Sequence, residues 1–176
     1  MTIIAGFSSS RQSAAPLQLA AQVARSTGEK VIAAAIVERA FPPRDDPVER
    51  EYLRSVSAQA QKSLERVVEQ LPADQDIPIV VHQSTSIPTG LMELVEENGA
   101  SLAVVCSSSA GLLGRIGLGS VTERLVHTAA VPVAIAPRCN APGSGPIRML
   151  TAAYGGEADV KGLIPAAAEL ATAWSV

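Results

Sequence analysis

One stretch of this chain gathers residue types suited to holding an anion. Leu102–Cys106 is a short apolar run that leads into Ser107, Ser108 and Ser109 and a loop carrying Gly111, Gly114 and Gly117. The loop closes on Gly119-Ser120, where a helical pattern begins through Val121. A glycine- and serine-rich loop that ends at a helix start suits a phosphate-bearing ligand. The first N–H groups of a helix lack partners within it, and its dipole is positive there. A second set of hydroxyls, Ser8-Ser9-Ser10, follows the first apolar run, Ile3–Phe7.

Each feature also has a plainer reading. Ser120 and Glu123 are spaced as a capping box, in which side chains satisfy the helix start without a ligand. Capping alone and capping combined with phosphate binding both fit. Arg115 either neutralises a phosphate or is a solvated loop residue, and the serines after the first run also suit a simple turn. His127 lies near a helix end, where a cation complements the dipole. His82 has no Cys, Asp or second His at ligand spacing, and the sequence holds no metal-site pattern. Cys106 and Cys139 form neither a metal nor a redox motif, so Cys106 reads as an inert thiol closing a buried strand. Neither a G-x-S-x-G elbow nor a Ser/His/Asp order is present.

The chain has 176 residues, 47% of them hydrophobic, enough for one domain with a substantial core. Its net charge of −3, with no Lys/Arg cluster, argues against a nucleic-acid or anionic-membrane partner. No apolar run is long enough to span a bilayer, and the N-terminus lacks the marks of a signal peptide, so a cytoplasmic setting is expected.

Five apolar runs recur, at Ile3–Phe7, Val31–Val37, Ile77–Val81, Leu102–Cys106 and Val131–Ala136, as in strands covered on both faces. Helical patterns alternate with them. Leu17, Ala20, Ala21 and Ala24 make one apolar face. A longer helix runs from Pro47 to about Leu71, with Asp46 as N-cap, Pro47 at the first position and Glu49 at the third. Its buried stripe is Leu53, Val56, Ala60, Leu64, Val67 and Leu71. A third helix opens at Pro88 and stops at Asn98-Gly99, and a fourth spans Ser120 to about His127. This alternation predicts an α/β fold, a parallel sheet with helices on both faces. Ligands of such sheets bind beyond the carboxyl ends of the strands, where strand order reverses. That points to the loops after the first and fourth strands.

The tail differs in kind. Residues 139–146 read as a Pro/Gly/Ser linker. Beyond them, Leu150–Ala171 echoes the N-terminus, with Tyr154 in register with Phe7 and Ile164–Ala171 with Leu17–Ala24. Residues 147–176 therefore read as a partial second repeat, its first strand and first helix.

These residues resemble the universal stress protein family. ATP-binding members carry G-x2-G-x9-G-[ST] after the fourth strand, and the spacing persists here as Cys106-x2-Ser109-x9-Gly119-Ser120. The segments from Ser120 to Leu125 and from Val131 to Arg138 look like the family's fourth helix and fifth strand. The resemblance covers residues 2–138. It implies a five-stranded parallel sheet of order 3-2-1-4-5, Rossmann-like or flavodoxin-like, and a tandem-type member whose second repeat is partial. It also implies an adenine-nucleotide site. The phosphates would lie on the N–H groups of Gly119, Ser120 and Val121, and the base near Ile36 and Val37. Cys106, Ser107 and Ser109 would form the loop, and Ser8, Ser9 and Ser10 would stand where the family has Asp-Gly-Ser. Both early glycines and the acidic residue are replaced. A Cβ at those positions crowds the approach of backbone to ribose and phosphate, so the implied ligand, ATP or AMP with magnesium only as its companion, meets a weakened site.

Three functions follow. One is a stress-response regulatory binding protein with a degenerate ATP site and at most slow hydrolysis. A second is a non-nucleotide interaction module that forms a homodimer through the fifth strand, Val131 to Ala136. The third is an enzyme like the ATP pyrophosphatases, whose S-G-G-x-D-S spacing matches Ser8-Ser9-Ser10-Arg11-Gln12-Ser13 without its glycines or Asp.

Overall fold

The computed structural model describes residues 1–8, 13–40, 42, 46–72, 75–107, 118–137, 145–153 and 162–176. The apolar runs become β1 (Thr2–Phe7), β2 (Lys30–Glu38), β3 (Ile79–Ser84), β4 (Ala100–Cys106) and β5 (Val133–Ala136). They pair in parallel in the order β3-β2-β1-β4-β5, the order the resemblance implied. The helices are α1 (Ala15–Thr27), α2 (Pro47–Val68), α3 (Ile87–Glu97), α4 (Ser120–Thr128) and α5 (Leu163–Trp174).

Period-2 alternation along each strand divides the core into two layers. Ile3, Ala5 and Phe7 of β1 face Leu17 and Ala20 of α1 and Leu64 of α2. Ile4, with Ala34 and Val105 beside it, faces Leu91 and Leu94 of α3 and Leu125 of α4. Both sides of the sheet are covered, which is why its strands read as unbroken apolar runs.

Local chemistry sets the helix ends. Asp46 caps α2, its Oδ1 accepting from the Val48 N–H at 2.9 Å. Ser86 caps α3, its Oγ accepting from the Thr89 N–H at 3.3 Å. Gly28 ends α1 at φ 71°, a left-handed conformation that costs glycine little.

Element boundaries shift from expectation: α2 ends at Val68 rather than Leu71, and β4 starts at Ala100 rather than Leu102. β3 starts at Ile79 rather than Ile77, and β5 at Val133 rather than Val131. In each case a proline precedes the strand. Pro78 and Pro132 have no N–H to donate, and each offers only its carbonyl, to Ala33 and Ala103 respectively. β3 then continues through His82, Gln83 and Ser84, because an edge strand tolerates polar residues that a central strand does not.

The tail differs as well. Residues 147–153 have no regular secondary structure, so no strand of the partial repeat forms among them. Instead Ile147 donates its N–H to Ser26 Oγ at 3.0 Å and packs on the α1/α2 layer. α5 lies against α1, with Trp174 touching the same layer. Its other end is open, with Leu163 and Ile164 39% and 52% exposed.

Candidate functional site

The carboxyl ends of β1, β2 and β4 meet the starts of α3 and α4 around one cleft of about 180 Å³. That is below the several hundred Å³ of a typical enclosed small-molecule site. Strand order reverses between β1 and β4, the position at which doubly wound sheets bind ligands.

Six of the expected residues line the cleft together: Ser8, Ile36, Cys106, Gly119, Ser120 and Val121. Two do not. Val37 is buried in the opposite core layer with α1 and α2, because adjacent strand residues point to opposite faces; of the pair only Ile36 reaches the cleft. Ser107 is 4% exposed and does not line the cleft; its N–H donates to the Ala136 carbonyl at 2.9 Å, continuing the β4–β5 ladder. Ser9, Ser10, Ser109, Arg115 and Cys139 lie outside the described residues.

The start of α4 departs from the sequence reading. Gly119, not Ser120, is the N-cap, with φ −78° and ψ 162° and no side-chain cap. A capping box pairs the N-cap with the third helical residue, so with Gly119 as cap Ser120 and Glu123 fall out of step and no box forms. Gly119, Ser120 and Val121 at the α4 start thus line the cleft, and the N-cap residue supplies no side-chain cap. Thr122, missed from the sequence, anchors this end: it is buried, and its Oγ1 donates to the Cys106 carbonyl at 3.1 Å. That bond ties the helix start to the end of β4. Its signal was the spacing of a hydroxyl two residues into a helix, which is too common to single out.

Cys106 lines the cleft floor half-buried. Its thiol reaches Ser13 Oγ at 3.6 Å, a weak contact between β4 and the approach to α1. Ser13 Oγ also accepts from the Ala15 N–H at 3.4 Å. The apolar wall is Ile36, Ile87 and Leu91. Its shape depends on Gly90 of α3, where a Cβ would stand 2.7 Å from Ile36 Cγ2 and 2.9 Å from Ser84 Cβ. Glycine therefore sets how close α3 lies to β2 and β3.

His82 and Glu93 stand on the outer side of that contact. His82 Nε2 and Glu93 Oε2 are 2.7 Å apart, joining edge strand β3 to α3. This hydrogen bond holds the Glu93 carboxyl below its ordinary value, with burial acting in the other direction. No group of three potential metal ligands exists among the described residues, and no described helix is long and apolar enough to cross a membrane.

Residues 1–137 match the model of the universal stress protein family. A universal stress protein of Mycobacterium tuberculosis is 32% identical over 142 residues, covering 78% of this chain and 49% of its own length. The chain thus spans about half the length of the curated relatives it matches. UspA from Lactobacillus plantarum superposes with a TM-score of 0.57 at 18% identity, covering 77% of this chain and 97% of that one. A universal stress protein solved in complex with cAMP gives 0.52 at 22%, covering 78% and 97%. Sheet order, core layers and relatives agree, and the chain belongs to the universal stress protein family.

Proposed function

We propose that this protein is a regulatory binding protein that holds an adenine nucleotide in the β1/β2/β4 cleft, in a site weakened by loss of the motif glycines. The observation that carries the reading is convergence: four separate stretches of sequence bring Ser8, Ile36, Cys106 and the uncapped Gly119–Val121 start into one cleft. The base would lie on the Ile36 wall and a phosphate on the N–H groups opening α4. Ser8, Ser9, Ser10 and Ser109 would complete the polar rim. A structural neighbour solved with cAMP supports a ligand of this type. Magnesium would enter only with a nucleotide. The site is assigned no turnover beyond slow hydrolysis of ATP, and the cytoplasm is the proposed location. Residues 1–138 would form the functional domain, 139–146 a linker, and 147–176 a partial repeat of a tandem-type chain.

The test is thermal unfolding with and without AMP, cAMP and ATP, after mass spectrometry has shown no co-purifying nucleotide. Ligand at one hundred times its Kd stabilises by about 2.7 kcal/mol, a Tm rise of roughly 5–10 °C at this chain length. No rise with any of the three would favour the second reading, an interaction module without nucleotide. The sheet edge at β5 serves that reading and the nucleotide reading alike, as a homodimer contact.

A further inference from the structure

We propose that the hollow between α5 and the amino end of the sheet is a binding site for a small organic amine, with its ammonium on Glu29 and its apolar body on α5. The site lies at the end of the sheet opposite the cleft and does not depend on the nucleotide reading. Three observations carry it.

The first is space with an apolar wall. A cavity of about 330 Å³ lies here, within the ordinary range of small-molecule sites. Its walls come from two separate parts of the chain. Leu170, Ala173 and Trp174, at i, i+3 and i+4 of α5, make one wall, and Leu102 of β4 and Pro132 before β5 belong to the other. No residue of α5 is fully buried, so its apolar wall still has area that a ligand can remove from water.

The second is an anion on the polar side of the same cavity. Gly28, at φ 71°, turns the chain out of α1, and Glu29 follows it, lining the cavity together with Thr27 and Ser101. Ser101 Oγ donates to Glu29 Oε1 at 2.7 Å, and Thr27 Oγ1 stands 3.3 Å from Oε2. Among the described residues the carboxylate meets these hydroxyls and forms no ion pair. Hydroxyls orient a carboxylate without offsetting its charge. A carboxylate accepts more than one hydrogen bond at each oxygen, and an ammonium is the stronger donor because the bond is charge-assisted.

The third is the backbone device that brings Ser101 to Glu29. β1 pairs with β4 as Thr2 with Ala100 and Ile3 with Leu102, so Ser101 is an extra residue in the ladder, a bulge. The core confirms it. Ala100 and Leu102 would share a face in a regular strand, yet they pack in opposite layers. A bulge gives up a ladder position to re-aim one side chain, and bulges gather next to functional sites. Here the re-aimed hydroxyl is the one that holds Glu29.

An oriented carboxylate beside an apolar wall defines the ligand: a primary ammonium on a short apolar or aromatic body. Once bound, it would join the tail helix to the end of the sheet.

The experiment is calorimetric titration of the full chain with phenethylamine, 2-phenylethanol and 3-phenylpropionate, which carry a cationic, a neutral and an anionic head on one body. The amine should bind at least about tenfold more tightly than the alcohol, and the carboxylate should not bind. Glu29→Gln, which keeps an oxygen for Ser101, should remove the preference for the amine. Ala173→Phe, on an exposed position of α5, should fill the hollow and weaken the amine by about tenfold or more with Glu29 in place. Equal binding of amine and alcohol, or a preference that survives Glu29→Gln, would overturn the role of Glu29. No heat from any of the three, or an amine affinity untouched by Ala173→Phe, would overturn the site. Thermal unfolding checks that each variant is folded; should Glu29→Gln fail, the three head groups and Ala173→Phe still decide the matter.

Discussion

At the scale of single residues, His82 and Glu93 show how a surface pair acquires a pH dependence. The Glu93 carboxyl is held below its ordinary value of 4.5 by the His82 hydrogen bond. A lowered carboxylate contributes stability that is present above the unfolded value and lost as pH falls through the folded one. The Glu93 side chain is 44% exposed, so water screens much of the effect. Glu93→Gln should therefore lower Tm slightly at neutral pH; the gap should begin to close as pH falls through 4.5 and vanish only below the lowered folded value. A gap that persists in acid would show that the pair contributes through packing and not through charge. Neither residue was legible as a pair in sequence, since eleven positions separate them and only the packing of α3 on β3 brings them together. The same holds for Val37: the sequence identified the end of the second strand, but the pleat decides which of two neighbours faces the cleft.

At the scale of elements, Gly90 is the tightest constraint on the site. Alanine is the better helix residue by about 1 kcal/mol, yet its Cβ would stand 2.9 Å from Ser84 Cβ on a strand that cannot yield easily. Overpacking of this kind costs about 1–3 kcal/mol, so Gly90→Ala should lower Tm by a few degrees and weaken nucleotide binding through the displaced Ile36. A higher Tm would mean that α3 slides outward freely. The strands and helices themselves were legible because their apolar periods are strong; Leu17, Ala20, Ala21 and Ala24 line one buried face as expected. What escaped was set by single backbone groups. The missing N–H of Pro78 and Pro132 moved two strand starts, and Gly119 displaced Ser120 from the capping position.

At the scale of the whole molecule, the sheet ends on two unequal edges. β3 carries the polar His82, Gln83 and Ser84, while β5 (VAIA) carries no charge or proline within it. Exposed edges that lack such protection invite pairing with another chain. Homodimerisation through Val131 to Ala136 is the expected outcome, read by light scattering at micromolar concentration, where a monomeric mass would refute it. Ile135→Lys should shift a dimer to monomer, since a charge on an edge strand opposes pairing. The tail was the least legible region. Its echo of the N-terminus predicted a strand and a helix; among the described residues only the helix forms, and residues 147–153 take no regular structure.

The position of Trp174 gives this molecule a built-in optical reporter. It is the chain's single tryptophan, seated near Met1, Leu102 and Pro132 at the amino end of the sheet. The cleft opens at the other end, a strand length of about 20 Å away. Indole emission therefore reads whether the tail helix is docked, and a bound nucleotide cannot touch its source. Any change in that emission on adding nucleotide would be a signal carried along the sheet from one end of the protein to the other.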